Sequence, residues 1–160
     1  MELLPTTAGS HTPEDAVGTA HLARQTLGTD RVLLELTAGP DLPLPDAEGL
    51  LEAARVLVRD GHTVLAWSPD DPVVCRRLGE IGCAAVLLRP LPGAGLPEPS
   101  RLGLPLAHTP APLVLEVHTS AEAARALALG AAAVLVDEAL RRSDDPVALA
   151  VALREAAQNR

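Results

Sequence analysis

Two carboxylates stand inside apolar runs: Glu35 in Leu33-Leu34-Glu35-Leu36 and Glu116 in Val114-Leu115-Glu116-Val117. Such short runs read as buried strands. Alternation along a strand places Leu33 with Glu35 on one face, and Val114 with Glu116 on one face. If both faces point into one mouth, the two acids can share general acid–base work, their pKa values separated by their surroundings. The plainer alternative is two solvated glutamates bonded to loop amides, and spacing alone favours it. Asp70-Asp71-Pro72 and Asp144-Asp145-Pro146 look like metal-binding or catalytic pairs, but both precede apolar helical periods and read as helix N-caps. Gly93-Ala94-Gly95 offers backbone N–H groups to a phosphate; amid prolines, simple loop flexibility explains it better. Ser10-His11 with Asp15 invites a triad, yet helix entry accounts for these residues. His62, His108 and His118 fall in no metal-ligand spacing. His118, just after Glu116 at a strand end, is the hardest of the three to dismiss.

What the chain lacks narrows the chemistry further. All 13 basic residues are arginine, and Trp67 is the sole aromatic. Without lysine there is no lysine Schiff base, no P-loop lysine and no anchor for pyridoxal phosphate, so no cofactor is expected. A net charge of −8 argues against nucleic acid as a partner. No apolar run is long enough for a membrane span, and no basic n-region marks a signal peptide. Cys75 and Cys83 lack C-x-x-C spacing and read as ordinary thiols of a cytoplasmic protein. With 48% hydrophobic residues, the 160-residue chain can bury a core as a single domain.

The elements that must position these residues alternate. Thr12-Pro13-Glu14-Asp15 starts a helix that Gly28 closes. A strand over Arg31–Leu36 follows, then a helix from Asp46 to Gly61 and a strand over His62–Trp67. Asp71-Pro72 starts a third helix, ended by Gly82 before a strand over Ala84–Leu88. Residues 89–112 carry seven prolines and three glycines and read as a long loop with at most a short turn of helix. Beyond it lie a strand over Leu113–Val117, a helix from Thr119 to Leu129, a strand over Ala132–Val136, a turn with Arg141 and Arg142, and a last helix from Asp145 to about Ala157. About five apolar strands joined by helices predict an α/β fold with a parallel sheet covered on both faces. An open doubly wound sheet and part of a βα barrel both satisfy this. No G-x-G-x-x-G follows the first strand, which removes the main support for dinucleotide binding.

Leu4-Pro5-Thr6-Thr7-Ala8-Gly9-Ser10 resembles the LPNTAG segment of bacterial thiazole synthases, with Thr6 in place of the asparagine. The similarity continues through Gly28-Thr29-Asp30, Glu35, Leu44-Pro45-Asp46, Thr63-Val64-Leu65 and Asp70-Asp71-Pro72-Val73. It runs on through Gly82 to Val86, Ser120-Ala121 and Asp145-Pro146-Val147-Ala148. The resemblance implies a partial (β/α)8 TIM-type barrel with five of the eight strands, because the family's chains extend further, mostly at the N-terminus. It implies thiazole phosphate formation for thiamin. The substrates are 1-deoxy-D-xylulose 5-phosphate, dehydroglycine and sulfur from a carrier-protein thiocarboxylate. In that family a lysine forms an imine with the sugar ketone, and two acids move protons. By motif, Glu35 and Glu116 take the acid positions, Glu116 replacing an aspartate, and the lysine position is Leu33. Phosphate contacts fall on Gly93 and Gly95 of the shortened glycine loop and on His118 and Thr119. The turn after Glu116 has lost its glycines, and Val136-Asp137 puts negative charge near the phosphate side.

Three functions are thus expected to compete. The chain is a thiazole-synthase-like subunit without imine catalysis, binding a sulfur-carrier protein or an intact synthase. Or it is an enzyme that uses Glu35 and Glu116 on a sugar-phosphate-like ligand. Or it is a remnant or one piece of a split barrel. The missing lysine favours the first and third. Unpaired outer strands predict an exposed apolar strip covered by oligomer formation, with the segment Glu2–Pro5 blunting one edge.

Overall fold

The computed structural model describes residues 3–89 and 96–158. Helix α1 (Pro13–Leu27) starts where Thr12 accepts a hydrogen bond from the Asp15 N–H and stops at Gly28, whose φ of 65° is left-handed. Strand β1 (Arg31–Leu34) follows. A two-stranded antiparallel ribbon, β2 (Thr37–Gly39) and β3 (Leu42–Pro45), then intervenes. Helix α2 (Ala47–Arg59) is capped by Asp46, and α3 (Pro72–Ile81) by Asp71, which accepts from Val73 and Val74 N–H. Between them runs β4 (Thr63–Ser68), and β5 (Ala85–Leu88) follows α3. Helix α4 (Pro99–His108), β6 (Leu113–Glu116), α5 (Ser120–Ala128), β7 (Ala133–Leu135), α6 (Glu138–Arg142) and α7 (Pro146–Gln158) complete the order.

Five strands form one parallel sheet in the order β1-β4-β5-β6-β7. Val32, Leu34, Val64, Ala66, Val86, Leu88 and Leu115 share one large core with residues of α1, α2, α3, α4, α5 and α7. The alternate set, Leu33, Trp67 and Leu87, forms a separate cluster with half-buried Leu65, Val114 and Leu135, all from strands. Among the described residues helices therefore cover one face, where two covered faces were expected. One-sided cover is how a barrel wall is built, and it excludes the doubly wound alternative.

The ten-residue α4 replaces the middle-to-late part of the long loop expected at 89–112. Pro99 occupies the first turn, and Leu102 is fully buried. Pro105 lies inside the helix, where it lacks an N–H to donate. Tertiary burial of Leu102 and Pro105 offsets that loss. On the strand face away from the helices Leu33, Trp67 and Leu87 are buried, while Val147 and Val151 of α7 are exposed. The three buried side chains pack on one another and on half-buried Leu65, Val114 and Leu135. The outer edge of β1 is partly paired. Leu33 N–H donates to Pro5 O (2.8 Å) and Thr7 N–H to Leu33 O (3.1 Å), around a parallel bridge from Thr6 to Leu33. The blunting segment is thus Pro5–Thr7, whereas Glu2 lies outside the described residues. β7 ends the other side of the sheet.

At the foot of β4, His62 is buried, with Nδ1 3.2 Å from the Asp30 carbonyl and Nε2 without a partner among the described residues. His21 stacks on it at 5.3 Å and pairs with Asp60 at 3.3 Å, while Arg24 donates to the Asp60 and Gly61 carbonyls. Burial, Arg24 and His21 together lower the His62 pKa below its ordinary 6.5, against the Asp30 carbonyl and Asp60, which raise it. The unfolded chain therefore binds the extra proton first. This contribution to stability is complete above pH 6.5 and lost as pH falls from there through the lower folded value. Urea titrations from pH 7.5 to 5 are expected to show that loss, reduced in His62→Gln. Equal slopes in both proteins would remove His62 as the cause.

Candidate active site

Same-face alternation brings Glu35, Trp67, Leu87 and Glu116 to the carboxyl ends of adjoining strands. Trp67 is level with Leu87. One step beyond the Leu88–Leu115 pair, Arg89 comes level with Glu116. Barrel chemistry sits at this end of the strands.

Arg89 joins the two acids. Its Nη1 donates to Glu35 Oε2 at 3.0 Å, and its Nε donates to Glu116 Oε2. The guanidinium carbon lies 4.8 Å from the centre of the Trp67 ring. Glu35 and Glu116 are 8% and 4% exposed, so neither is the solvated glutamate of the plainer reading. Burial pulls the Arg89 pKa down, but the Glu35 and Glu116 charges and their hydrogen bonds outweigh it and hold it above its ordinary value. The mouth is thus a buried, charge-assisted cluster of one cation and two anions.

The N-terminal segment clasps Glu35 from the other side. Thr6 Oγ1 donates to Glu35 Oε1 at 2.8 Å. Thr7 Oγ1 donates to the Glu35 carbonyl (2.7 Å) and accepts from the Glu35 N–H (2.9 Å). Leu33, two residues before Glu35 and on the same face, is packed among Trp67 and Leu87.

His118 and Thr119 lie at the start of α5. Thr119 Oγ1 accepts from Glu122 N–H (3.1 Å), and Glu122 Oε2 accepts from His118 N–H (2.8 Å). The Leu96 N–H also reaches Glu122 Oε1, at 3.5 Å. A carboxylate of the chain itself engages these donors. Gly93 and Gly95 lie outside the described residues. Ser10, His11 and Asp15 do not converge on one another: Ser10 O accepts from Thr37 N–H, His11 Nδ1 meets Thr37 Oγ1 at 2.9 Å, and Asp15 donates its N–H to Thr12. Asp71 and Asp145 accept N–H bonds at the starts of α3 and α7, as caps do. Burial raises both thiol pKa values, that of Cys83 to about 12. The sequence reading missed Arg89, which it placed at the start of a loop, and Trp67. The available signal was period two: Arg89 follows Leu87 as Glu35 follows Leu33.

The family model for the thiazole biosynthesis protein ThiG matches residues 1–159. The chain belongs to this family. It is 41% identical over 165 positions to the thiazole synthase of Azorhizobium caulinodans, covering 99% of this chain and 61% of that protein. It is 42% identical over 162 positions to the thiazole synthase of a Methylobacterium species, covering 97% and 60%. The chain thus spans about 60% of the curated relatives it matches. Among solved structures, BexX in the Amycolatopsis orientalis BexX/CysO complex is similar, with a TM-score of 0.84 at 32% identity over 99% of this chain and 66% of that one. An archaeal fructose 1,6-bisphosphate aldolase shares the fold alone, with a TM-score of 0.60 at 16% identity over 85% of this chain and 61% of that one. In this ThiG-family chain no helix among the described residues is long and apolar enough to cross a membrane.

Proposed function

We propose that this ThiG-family chain serves thiazole formation for thiamin as a subunit without imine catalysis of its own. Leu33 carries the reading. It occupies the position that the resemblance gives to the family's lysine, and it is 7% exposed inside an apolar cluster. No other residue supplies an internal amine, since the chain has no lysine. The subunit acts by binding a sulfur-carrier protein or an intact synthase, and its working form is an oligomer. The likeness to BexX, crystallised with CysO, supports a protein partner of the carrier kind. The β7 edge, together with Val147, 72% exposed on α7, supports association.

Borohydride trapping with 1-deoxy-D-xylulose 5-phosphate is expected to leave the protein mass unchanged. A stable adduct on an internal residue would overturn the reading. Calorimetric titration with the purified sulfur carrier is expected to show saturable binding, and its absence together with no binding to an intact synthase would remove the subunit role. One observation keeps a second reading in play: Glu35 and Glu116 do meet in one mouth. In that reading they move protons on a sugar-phosphate-like ligand, and Glu116→Gln abolishes turnover of it.

A further inference from the structure

Two carboxylates buried together need a cation. Burial penalises each charge, and the two repel. On this face a cation can come from two places. One is Arg89, which supplies it. The other is position 33, since same-face neighbours along a strand stand about 6.6 Å apart, within reach of a lysine stem. Position 33 is leucine, so Arg89 carries the whole charge.

The surroundings of Arg89 match its chemistry group by group. A planar guanidinium donates to carboxylates through fixed N–H groups and stacks on an aromatic face. Glu35 and Glu116 supply the carboxylates, and Trp67 supplies the face, itself 9% exposed. We propose that the mouth is a cation site built from Glu35, Glu116 and Trp67 and filled from within by Arg89, so that vacating it creates a binding site for free guanidinium ion. Arg89 is then a positioning residue, holding both acids in place. The inference deepens the proposed function and rests on that reading only for the role of position 33.

The test is thermal unfolding of Arg89→Ala in low-millimolar guanidinium chloride, with sodium chloride at equal ionic strength as the control. Guanidinium raises the midpoint of the variant and not that of the wild type. At a concentration about ten times its dissociation constant, the folded-to-unfolded ratio rises about tenfold. An equal response to sodium, or an equal rise in the wild type, overturns the proposal. Should Arg89→Ala not fold, Arg89→Lys and Arg89→Met decide. A lysine variant more stable than the methionine variant supports the site, and a methionine variant that equals or exceeds it overturns it. Leu33→Lys added to whichever of Arg89→Ala or Arg89→Met folds raises the midpoint, and no rise there overturns the interchange of charge between the two positions. An imine adduct in the borohydride experiment would leave these results standing, so the two readings fail separately.

Discussion

Arg89→Met is expected to lower the unfolding free energy by about 3–5 kcal/mol, a large share of the roughly 5–15 kcal/mol that holds a domain together. Methionine keeps the apolar stem, removes the guanidinium and leaves two anions facing each other without a counterion. The Arg89 side chain is only 22% exposed, so water screens little of the loss. Adding Glu35→Gln and Glu116→Leu to Arg89→Met is expected to recover most of it. Replacing a whole buried ion cluster by neutral groups is often neutral or better, whereas removing one member strands the others. Glutamine at 35 also keeps an acceptor for Thr6. Urea denaturation of the three proteins measures both steps. A loss under about 1 kcal/mol in the single variant would mean the acids do not depend on Arg89.

Trp67→Ala is expected to cost about 3–5 kcal/mol by truncating a buried ring. Trp67 pairs in register with Leu87, and both pack with Leu33. The ring also lies under Arg89, so the two effects overlap. The double variant with Arg89→Met is expected to lose less than the sum of the singles, because neighbours in contact do not add. Trp67→Leu keeps apolar volume and loses less than alanine while still removing the face. Circular dichroism must follow these proteins, because Trp67 is the sole aromatic residue. Strict additivity would separate the ring from the ion cluster.

The parts of the fold legible in the sequence are those set locally. Thr12, Asp46 and Asp71 announce helix starts through their own side chains, and Gly28 and Gly82 announce stops through left-handed φ. The β2–β3 ribbon was not visible, because Leu42-Pro43-Leu44-Pro45 carries two prolines and pairs with only a three-residue strand. Helix α4 was hidden by Pro105, whose poor local fit tertiary burial overrides. Glu35 and Glu116 were legible as polar breaks in apolar strands. Their shared cation was not, since Arg89 lies 54 residues from one and 27 from the other. No local pattern encodes such a meeting. One-sided helix cover was likewise invisible, because a strand buried under helices and one buried against other strands present the same apolar run.

The clasp of Pro5–Thr7 on β1 has a kinetic side. Sheet neighbours β4, β5, β6 and β7 come from consecutive βα units, and each pairing is a ladder of several residues in register. The Thr6–Glu35 bond spans 29 residues and the Arg89–Glu35 bond spans 54. The first closure is no longer than the β1–β4 pairing, which joins Arg31 to Thr63, but a whole ladder rewards each wall pairing and only a few bonds reward these two. The wall therefore forms before its mouth, and on the way out the mouth opens before the wall. Such opening is a sub-global event, governed by two threonine hydroxyls and one guanidinium. Access to Glu35 is then set by a local equilibrium that the rest of the domain does not share.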